Sequence, residues 1–105
     1  MTNFVACDTI NTIGTSFQGT VKTTYDNLVE VFGEPTAMDA SPYEKVNAEW
    51  SVEAKDEDNT VFTIYNWKDG YVPTEEYDWH IGGFDKTALY AVSYTHLRAH
   101  ETNVD

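Results

Sequence analysis

The chain is poor in basic residues, cysteine and long apolar runs. Lysine and arginine number 6 against 18 aspartates and glutamates, so the formal net charge is −12 at neutral pH. Such a charge repels the phosphates of nucleic acids and anionic lipids, which argues against general nucleic-acid or membrane-surface binding. The single cysteine, Cys7, cannot form an internal disulfide, as expected in a reducing compartment.

The N-terminal residues lack the basic flank and apolar run of a signal peptide, and no apolar run is long enough to span a bilayer. We therefore expect a soluble cytoplasmic protein. What is present favours folding, since 41% of the 105 residues are hydrophobic and 14% are aromatic. That composition is too apolar for a disordered acidic tail and suits one small domain.

The C-terminal segment resembles a sequencing artefact. Residues 92–102 read VSYTHLRAHET and resemble a translated sequencing adapter at the end of a metagenomic fragment. We expect residues 1–91 to form a single α+β domain and residues 92–105 to be a non-native tail. Without Arg98, Glu101 and Asp105, 5 basic and 16 acidic residues remain, so the acidity belongs to the domain itself.

Hydrophobic periodicity predicts alternating strands and helices. A period of two relates alternate residues in the first segment, which are Ile13, Thr15, Phe17, Gly19 and Val21. Tyr25, Leu28 and Phe32 recur at helical spacing. The predicted order is a strand over 12–22, helix 25–32, a hairpin of strands 46–54 and 60–68, a short strand over 77–82, and a C-terminal helix from about residue 86. The fold class is α+β, a small antiparallel sheet of three to four strands packed against both helices.

Local signals refine this prediction. Thr23 to Asp26 has the form of a capping box, and Asp85 is a suitable N-cap for the final helix. The face of the first hairpin strand that carries Trp50 should meet helix 25–32. The second hairpin strand is apolar on both faces, which predicts either a central position in the sheet or a place at an interface.

The segment Tyr65-Asn66-Trp67-Lys68 combines stacking surfaces, an amide and a cation. Aromatic faces bind bases, an amide can pair with a base edge, and a lysine can offset phosphate charge. We therefore predict that these four residues line a site for a nucleotide-like ligand. The competing interpretation is an ordinary core strand.

The segment Trp79-His80-Ile81-Gly82-Gly83 is the second candidate. Paired glycines permit close backbone approach and can aim N–H groups at an anion, so Trp79, His80, Gly82 and Gly83 join the predicted site. The alternative is a turn that ends a strand. Because no nucleophile or metal-ligand motif accompanies His80, we predict no catalytic residue, metal or cofactor. The Asp56 and Asp58 pair is interpreted as a solvated turn.

Acidic side chains offer a different function. Glu49 and Glu53 share one strand face, and Glu30 and Glu34 lie near the end of the first helix. Such residues can imitate nucleic-acid phosphates toward a basic groove on another protein.

The combined pattern Phe32-Gly33-Glu34-Pro35, Ala48-Glu49-Trp50, Thr63 to Lys68 and Trp79 to Gly83 resembles a family of small acidic phage and prophage proteins of mostly unassigned function. The resemblance covers most of residues 15–91 and implies a phage or prophage origin, with action in the host bacterial cytoplasm. By analogy, small phage proteins without catalytic motifs are often anti-defence factors that act by binding.

Two functional hypotheses follow. The first is a non-enzymatic, homo-oligomeric phage protein that evades immunity by sequestering a nucleotide-derived signal, of the cyclic ADP-ribose or cyclic oligonucleotide type. The second is an acidic inhibitor of a host defence protein, such as an anti-CRISPR protein or nucleic-acid mimic. A hydrolase that cleaves the same signals is a third class, which the missing nucleophile and metal motifs disfavour.

Overall fold

A computed structural model describes residues 4–7, 12–55 and 60–93. Its strands form an antiparallel sheet with two helices on one side, which confirms the α+β class. The elements in chain order are β1 Phe4–Ala6, β2 Ser16–Thr23, α1 Tyr25–Phe32, β3 Ala37–Met38, β4 Ala48–Ala54, β5 Thr60–Tyr65, β6 Tyr77–Gly83 and α2 at residues 86–93.

The sheet has the strand order β1-β4-β5-β6-β2, and β5 is central, which is one of the two positions predicted for it. One side of β4 pairs with β5, and its other side is shared by β1 near Ala54 and by β3 near Ala48. The strands β1 and β3 were not predicted, because runs of three and two residues are too short to show alternation. They raise the described strand number from the expected three or four to six.

Strand register separates two faces of the sheet. On one, Trp50 pairs with Ile64 and Ile64 with Ile81, and we call this the core face. On the other, Glu49 pairs with Tyr65 and Tyr65 with His80, and we call this the open face. The alternation of side chains along each strand puts every second residue on each face.

Both helices pack on the core face. The ring of Tyr25 in α1 lies 5.7 Å from that of Trp50. This contact confirms the prediction that the Trp50 face of the strand meets helix 25–32. In α2, Ala88 and Val92 are 1% exposed and belong to the same apolar cluster. No helix of the described chain covers the open face, so the chemistry of that face is available to a ligand.

Two buried tryptophans hold α1 at both ends. The Trp79 indole N–H donates to the carbonyl of Thr23, just before the helix, at 3.2 Å. The Trp50 indole N–H donates to the carbonyl of Gly33, just after it, at 2.8 Å. Their rings meet edge to face with centroids 5.5 Å apart. Each indole thus satisfies its donor in the core while fixing the helix against the sheet.

The helix caps differ slightly from the prediction. Helix α1 spans 25–32 as expected, but its N-cap hydroxyl is that of Thr24, which accepts from the Asn27 backbone N–H at 3.2 Å. Asn27, and not Asp26, occupies the third helical position and donates from its side chain to the Thr23 hydroxyl. At α2 the predicted cap is confirmed, since the Asp85 carboxylate accepts from the Thr87 N–H at 2.8 Å.

A bulge in β2 overturns one predicted orientation. Period-two alternation placed Phe17 on the same face as Val21, but the register with β6 shifts between Phe17 and Gly19. Val21 therefore stays in the core while Phe17 pairs with Gly82 on the open face. The extra residue of a bulge reverses side-chain alternation, which periodicity alone does not reveal.

The predicted adapter-derived segment begins inside α2. Val92 is buried against the sheet, whereas residues 94–105, including His96 and His100, lie outside the described residues. Neither helix in the described chain has the length and apolar character needed to cross a bilayer.

Candidate functional site

The open face holds a cavity of about 290 Å³ between the start of β2, the loop before β4 and the end of β5. Aromatic, aliphatic and polar side chains share its walls. The lining residues are Thr15, Ser16, Phe17, Val46, Glu49, Thr63, Tyr65, Trp67 and Gly82. This volume lies near the lower end of ligand pockets, which typically measure about 300–1,000 Å³.

Aromatic rings on adjacent strands border the cavity. The rings of Tyr65 and His80 are stacked, with centroids 5.5 Å apart and an interplanar angle of 28°. Phe17 reaches the same imidazole from β2 at 5.5 Å, because the bulge turns it to this face. The Nδ1 atom of His80 is buried and has no hydrogen-bond partner among the described residues. These rings supply flat apolar surfaces of the kind on which planar ligands stack.

Two lysines lie beside Trp67 at the rim. The ammonium groups of Lys45 and Lys68 are each 5.8 Å from the centre of its indole ring. A 2.7 Å hydrogen bond from the Lys68 N–H to the Lys45 carbonyl keeps the two segments adjacent. Lys68 has a φ of 60°, a left-handed conformation in which the described chain otherwise has only glycines. Two cations are thus held together in an otherwise acidic molecule.

The buried Asn66 side chain fixes the segment that carries Trp67 and Lys68. It is 0% exposed, and its side-chain oxygen accepts from the N–H groups of Asn47 and Ala48 at 2.8 and 3.0 Å. Its amide donates to Asn47 Oδ1, to the Asp69 carboxylate and to the Tyr71 carbonyl. A fully used amide of this kind fixes the backbone that carries Trp67 and Lys68.

Tyr77 fixes the same segment from β6. Its hydroxyl accepts from the Trp67 N–H at 3.1 Å and forms a hydrogen bond with Asp69. Burial and that bond raise the pKa of Tyr77 to about 12, so the phenol is neutral at physiological pH. The Trp67 backbone is therefore held both by its neighbour in sequence and by an adjacent strand.

Glu49 places a carboxylate in the cavity wall. It is half-buried, and burial raises the pKa of its carboxyl group above the ordinary value. Burial, and in second place the negative charge of Glu49, raise the pKa of the Tyr65 phenol, its cross-strand partner. Within the described residues the carboxylate has neither a cation nor a hydrogen-bond donor as partner. The cavity therefore contains an acceptor group that a ligand can satisfy.

Of the eight residues predicted for the site, five lie at the cavity on the open face and three lie in the protein interior. Tyr65, Trp67 and Gly82 line the cavity, and Lys68 and His80 adjoin it. The other three belong to the interior. They are Asn66, whose amide is fully used, Trp79, which is 0% exposed, and Gly83, which lies against Ala88 of α2.

Other cavity residues were missed by the prediction. Phe17 was missed because period-two alternation placed it on the same face as Val21 and did not reveal the bulge. Val46 and Lys45 were missed because they lie in the irregular segment that leads into β4. Thr63 sits on the predicted strand but was not chosen, and Glu49 was assigned only to an acidic surface. The available signal was cross-strand register, since Glu49 and Thr63 both face the side of the sheet that carries Tyr65.

The predicted acidic residues do not form one surface. Glu49 lines the cavity, and Glu53, four residues further along β4, pairs with Lys55 at 3.3 Å. Glu30 and Glu34 belong to the helical layer on the opposite side of the sheet. The negative charge is therefore distributed over both sides of the molecule.

No cluster of three or more potential metal ligands occurs within residues 4–7, 12–55 and 60–93. Asp56 and Asp58, interpreted from sequence as a solvated turn, lie outside these ranges.

Comparison with known proteins gives no match: no family model, no curated protein and no solved structure is significantly similar to this chain. The functional argument therefore depends on the geometry of the open face.

Proposed function

We propose that this protein is a non-enzymatic phage anti-defence protein that sequesters a nucleotide-derived immune signal in the host bacterial cytoplasm. The ligand is of the cyclic ADP-ribose or cyclic oligonucleotide type. The observation that carries the proposal is the cavity itself, in which Tyr65 and Trp67 offer stacking surfaces and Lys45 and Lys68 stand beside the indole. A base and its phosphate require this pairing of flat apolar surface with local positive charge.

The location of the two lysines supports this proposal. The described chain contains five lysines and no arginine, and two of the five lie at one tryptophan. In a molecule with such an excess of acid, a local pair of cations gives an anionic ligand one preferred place to bind.

We further propose that the functional unit is a homo-oligomer. A cavity of about 290 Å³ is small for a ligand with two bases, so the second half of such a ligand would project from the open face. Phe17 and Trp67, which are 57% and 41% exposed, border the cavity and would be covered by another copy. Light scattering with and without ligand tests this, and a monomer in both conditions contradicts it.

The binding test is a thermal-shift screen against cyclic dinucleotides, cyclic trinucleotides and cyclised ADP-ribose products. A ligand at 100 times its dissociation constant stabilises the folded state by about 2.7 kcal/mol, which raises the Tm by several degrees in a domain of this size. Trp67→Ala should abolish the shift. Tyr90→Ala, which removes an exposed aromatic ring from the helical layer, should retain it.

The alternative function, an acidic inhibitor of a host defence protein, predicts the opposite pattern. It rests on the net charge of −12 and requires binding that weakens with salt. Absence of any ligand shift, with salt-sensitive capture of a defence protein that Glu49→Lys and Glu53→Lys abolish, would favour it. Ligand recovered unchanged after release would exclude the hydrolase.

A further inference from the structure

The Glu49 carboxylate is the least expected group in an anion-binding cavity. It lies in the wall beside Tyr65 and Trp67, and no described residue neutralises it. A carboxylate that faces the phosphates of a ligand would weaken binding through charge repulsion. Its position is consistent with nucleotide binding if it faces the base, where hydrogen-bond donors are found.

The geometry of the Glu49 carboxylate limits which edge of a base can form hydrogen bonds with it. An ionised carboxylate only accepts, and its two oxygens match two parallel N–H groups on a planar edge. Guanine offers such a pair in N1–H and N2–H. Adenine and cytosine place a ring acceptor beside their amino group, where it opposes the carboxylate. Hypoxanthine has the N1–H but lacks the amino group, so it can make only one of the two bonds.

The surroundings of Glu49 suit the rest of that base. Tyr65 faces it directly across the strand pair, and the Trp67 ring lies 6.3 Å from that of Tyr65, so aromatic surface adjoins the acceptor. Thr63, two residues before Tyr65 on the same face, adds a hydroxyl that can donate to the guanine carbonyl oxygen. Recognition of a stacked base through its Watson–Crick edge is common in proteins that bind single nucleotides.

We propose that Glu49 binds the N1–H and N2–H edge of guanine, so that the ligand of the open-face cavity is a guanine nucleotide. This inference rests on the proposed function and assigns the base within it. In this arrangement Lys45 and Lys68 contact the phosphate of the ligand, and Glu49 contacts its base.

The test is isothermal titration calorimetry of the full chain with GMP, IMP and AMP, and with the cyclic dinucleotides of guanine and of adenine. For the wild-type chain we expect guanine ligands to bind about tenfold tighter than hypoxanthine or adenine ligands. Glu49→Gln keeps the side-chain shape but replaces one acceptor with a donor. It should lower guanine affinity about tenfold and raise adenine affinity, because the new amide N–H can donate to the adenine ring acceptor that opposed the carboxylate.

The matched control is Glu53→Gln on the same strand and face, whose carboxylate pairs with Lys55 outside the cavity. It should retain the guanine preference, and circular dichroism should show that both variants fold. Equal affinities for the three mononucleotides, or an unchanged preference in Glu49→Gln, would overturn the assignment of guanine while leaving nucleotide binding intact. If the wild-type chain binds none of these nucleotides and also shows no thermal shift with cyclised ADP-ribose products or cyclic trinucleotides, the proposed function itself fails.

Discussion

The two faces of the sheet are built by the same strands and carry different chemistry. On the core face, Trp50, Phe62 and Trp79 are at most 1% exposed, and the indole donors have carbonyl partners. On the open face, Tyr65, His80 and Glu49 are half-buried, and the last two carry a buried nitrogen and a carboxylate that no described residue satisfies. Satisfied groups stabilise a fold, whereas unsatisfied groups next to a cavity are available for binding.

The contrast predicts that substitutions on the core face change stability and that substitutions on the open face change binding. Side chains on adjacent positions of one strand provide matched pairs, because they share a backbone and differ in the face they occupy.

The largest expected effect comes from the tryptophans. Trp79→Ala should lower the free energy of unfolding by about 4 kcal/mol, because it opens a cavity under α1 and removes the bond to the Thr23 carbonyl. Trp67→Ala should cost about 1 kcal/mol or less, since that ring is 41% exposed, yet should abolish ligand binding. Urea unfolding measures the first effect and calorimetry the second. Equal destabilisation by both would contradict the division between faces.

Asn66→Ala should have the next largest effect, a loss of roughly 3 kcal/mol. The buried N–H groups of Asn47 and Ala48 lose their acceptor, and each such group is costly when unsatisfied. Because this residue fixes the backbone of Trp67 without lining the cavity, ligand affinity should fall together with stability. Chemical unfolding and calorimetry on the same sample measure both quantities. A stable variant that only loses binding would place the Asn66 amide in contact with ligand instead.

The adjacent glycines give a smaller and more specific test. A methyl group at Gly83 overlaps Ala88 of α2, so Gly83→Ala should cost about 2 kcal/mol through overpacking. A methyl group at Gly82 would stand 2.5 Å from the hydroxyl of the buried Thr63 in the cavity wall, so Gly82→Ala should also cost stability and, unlike Gly83→Ala, reduce ligand affinity. Thermal unfolding and ligand titration of both variants separate these effects. The reverse assignment of effects would contradict the register described for β6.

The smallest expected effect is a change in pH dependence. Burial raises the folded-state pKa of Glu49 above its ordinary value of 4.5, so between these two values the folded state binds more protons than the unfolded state. The free energy of unfolding then falls as pH rises through this window. Glu49→Gln should flatten that slope and be slightly more stable than the wild type at neutral pH. An identical pH profile for the two proteins would show that the carboxylate is hydrated as in the unfolded chain.

Much of the fold was predictable because its signals are local. Helix α1 follows from the spacing of Tyr25, Leu28 and Phe32, and the central position of β5 follows from its two apolar faces. The short strand β3 was missed because it has only two residues, and its extended conformation depends on hydrogen bonds to β4. The predicted capping residue was displaced by one position, an error typical of helix ends.

The site was predictable only in part, because it depends on contacts between distant residues. The sequence identified Tyr65, Trp67 and Gly82, because aromatic residues and paired glycines suggest a binding site. It did not identify Phe17, because the orientation of that side chain depends on the β2 bulge. Asn66 and Trp79 have the same ligand-like chemistry as their neighbours, and only their burial shows that it is used internally. Residue type indicates what a side chain can bind, whereas strand register decides what it meets.

The strand order also has a consequence for synthesis of the chain. Among the described strands β2 pairs with β6 alone, so Thr23 leaves the ribosome well before its partner Tyr77 exists. At about 5–20 residues per second the interval is roughly 3 to 11 s, during which an unpaired strand is open to wrong partners. The irregularity at Gly19 and the charge of Lys22 both discourage flat pairing with a second nascent chain. The bulge that turns Phe17 toward the cavity therefore also makes β2 a poorer template for edge-to-edge pairing than a regular strand.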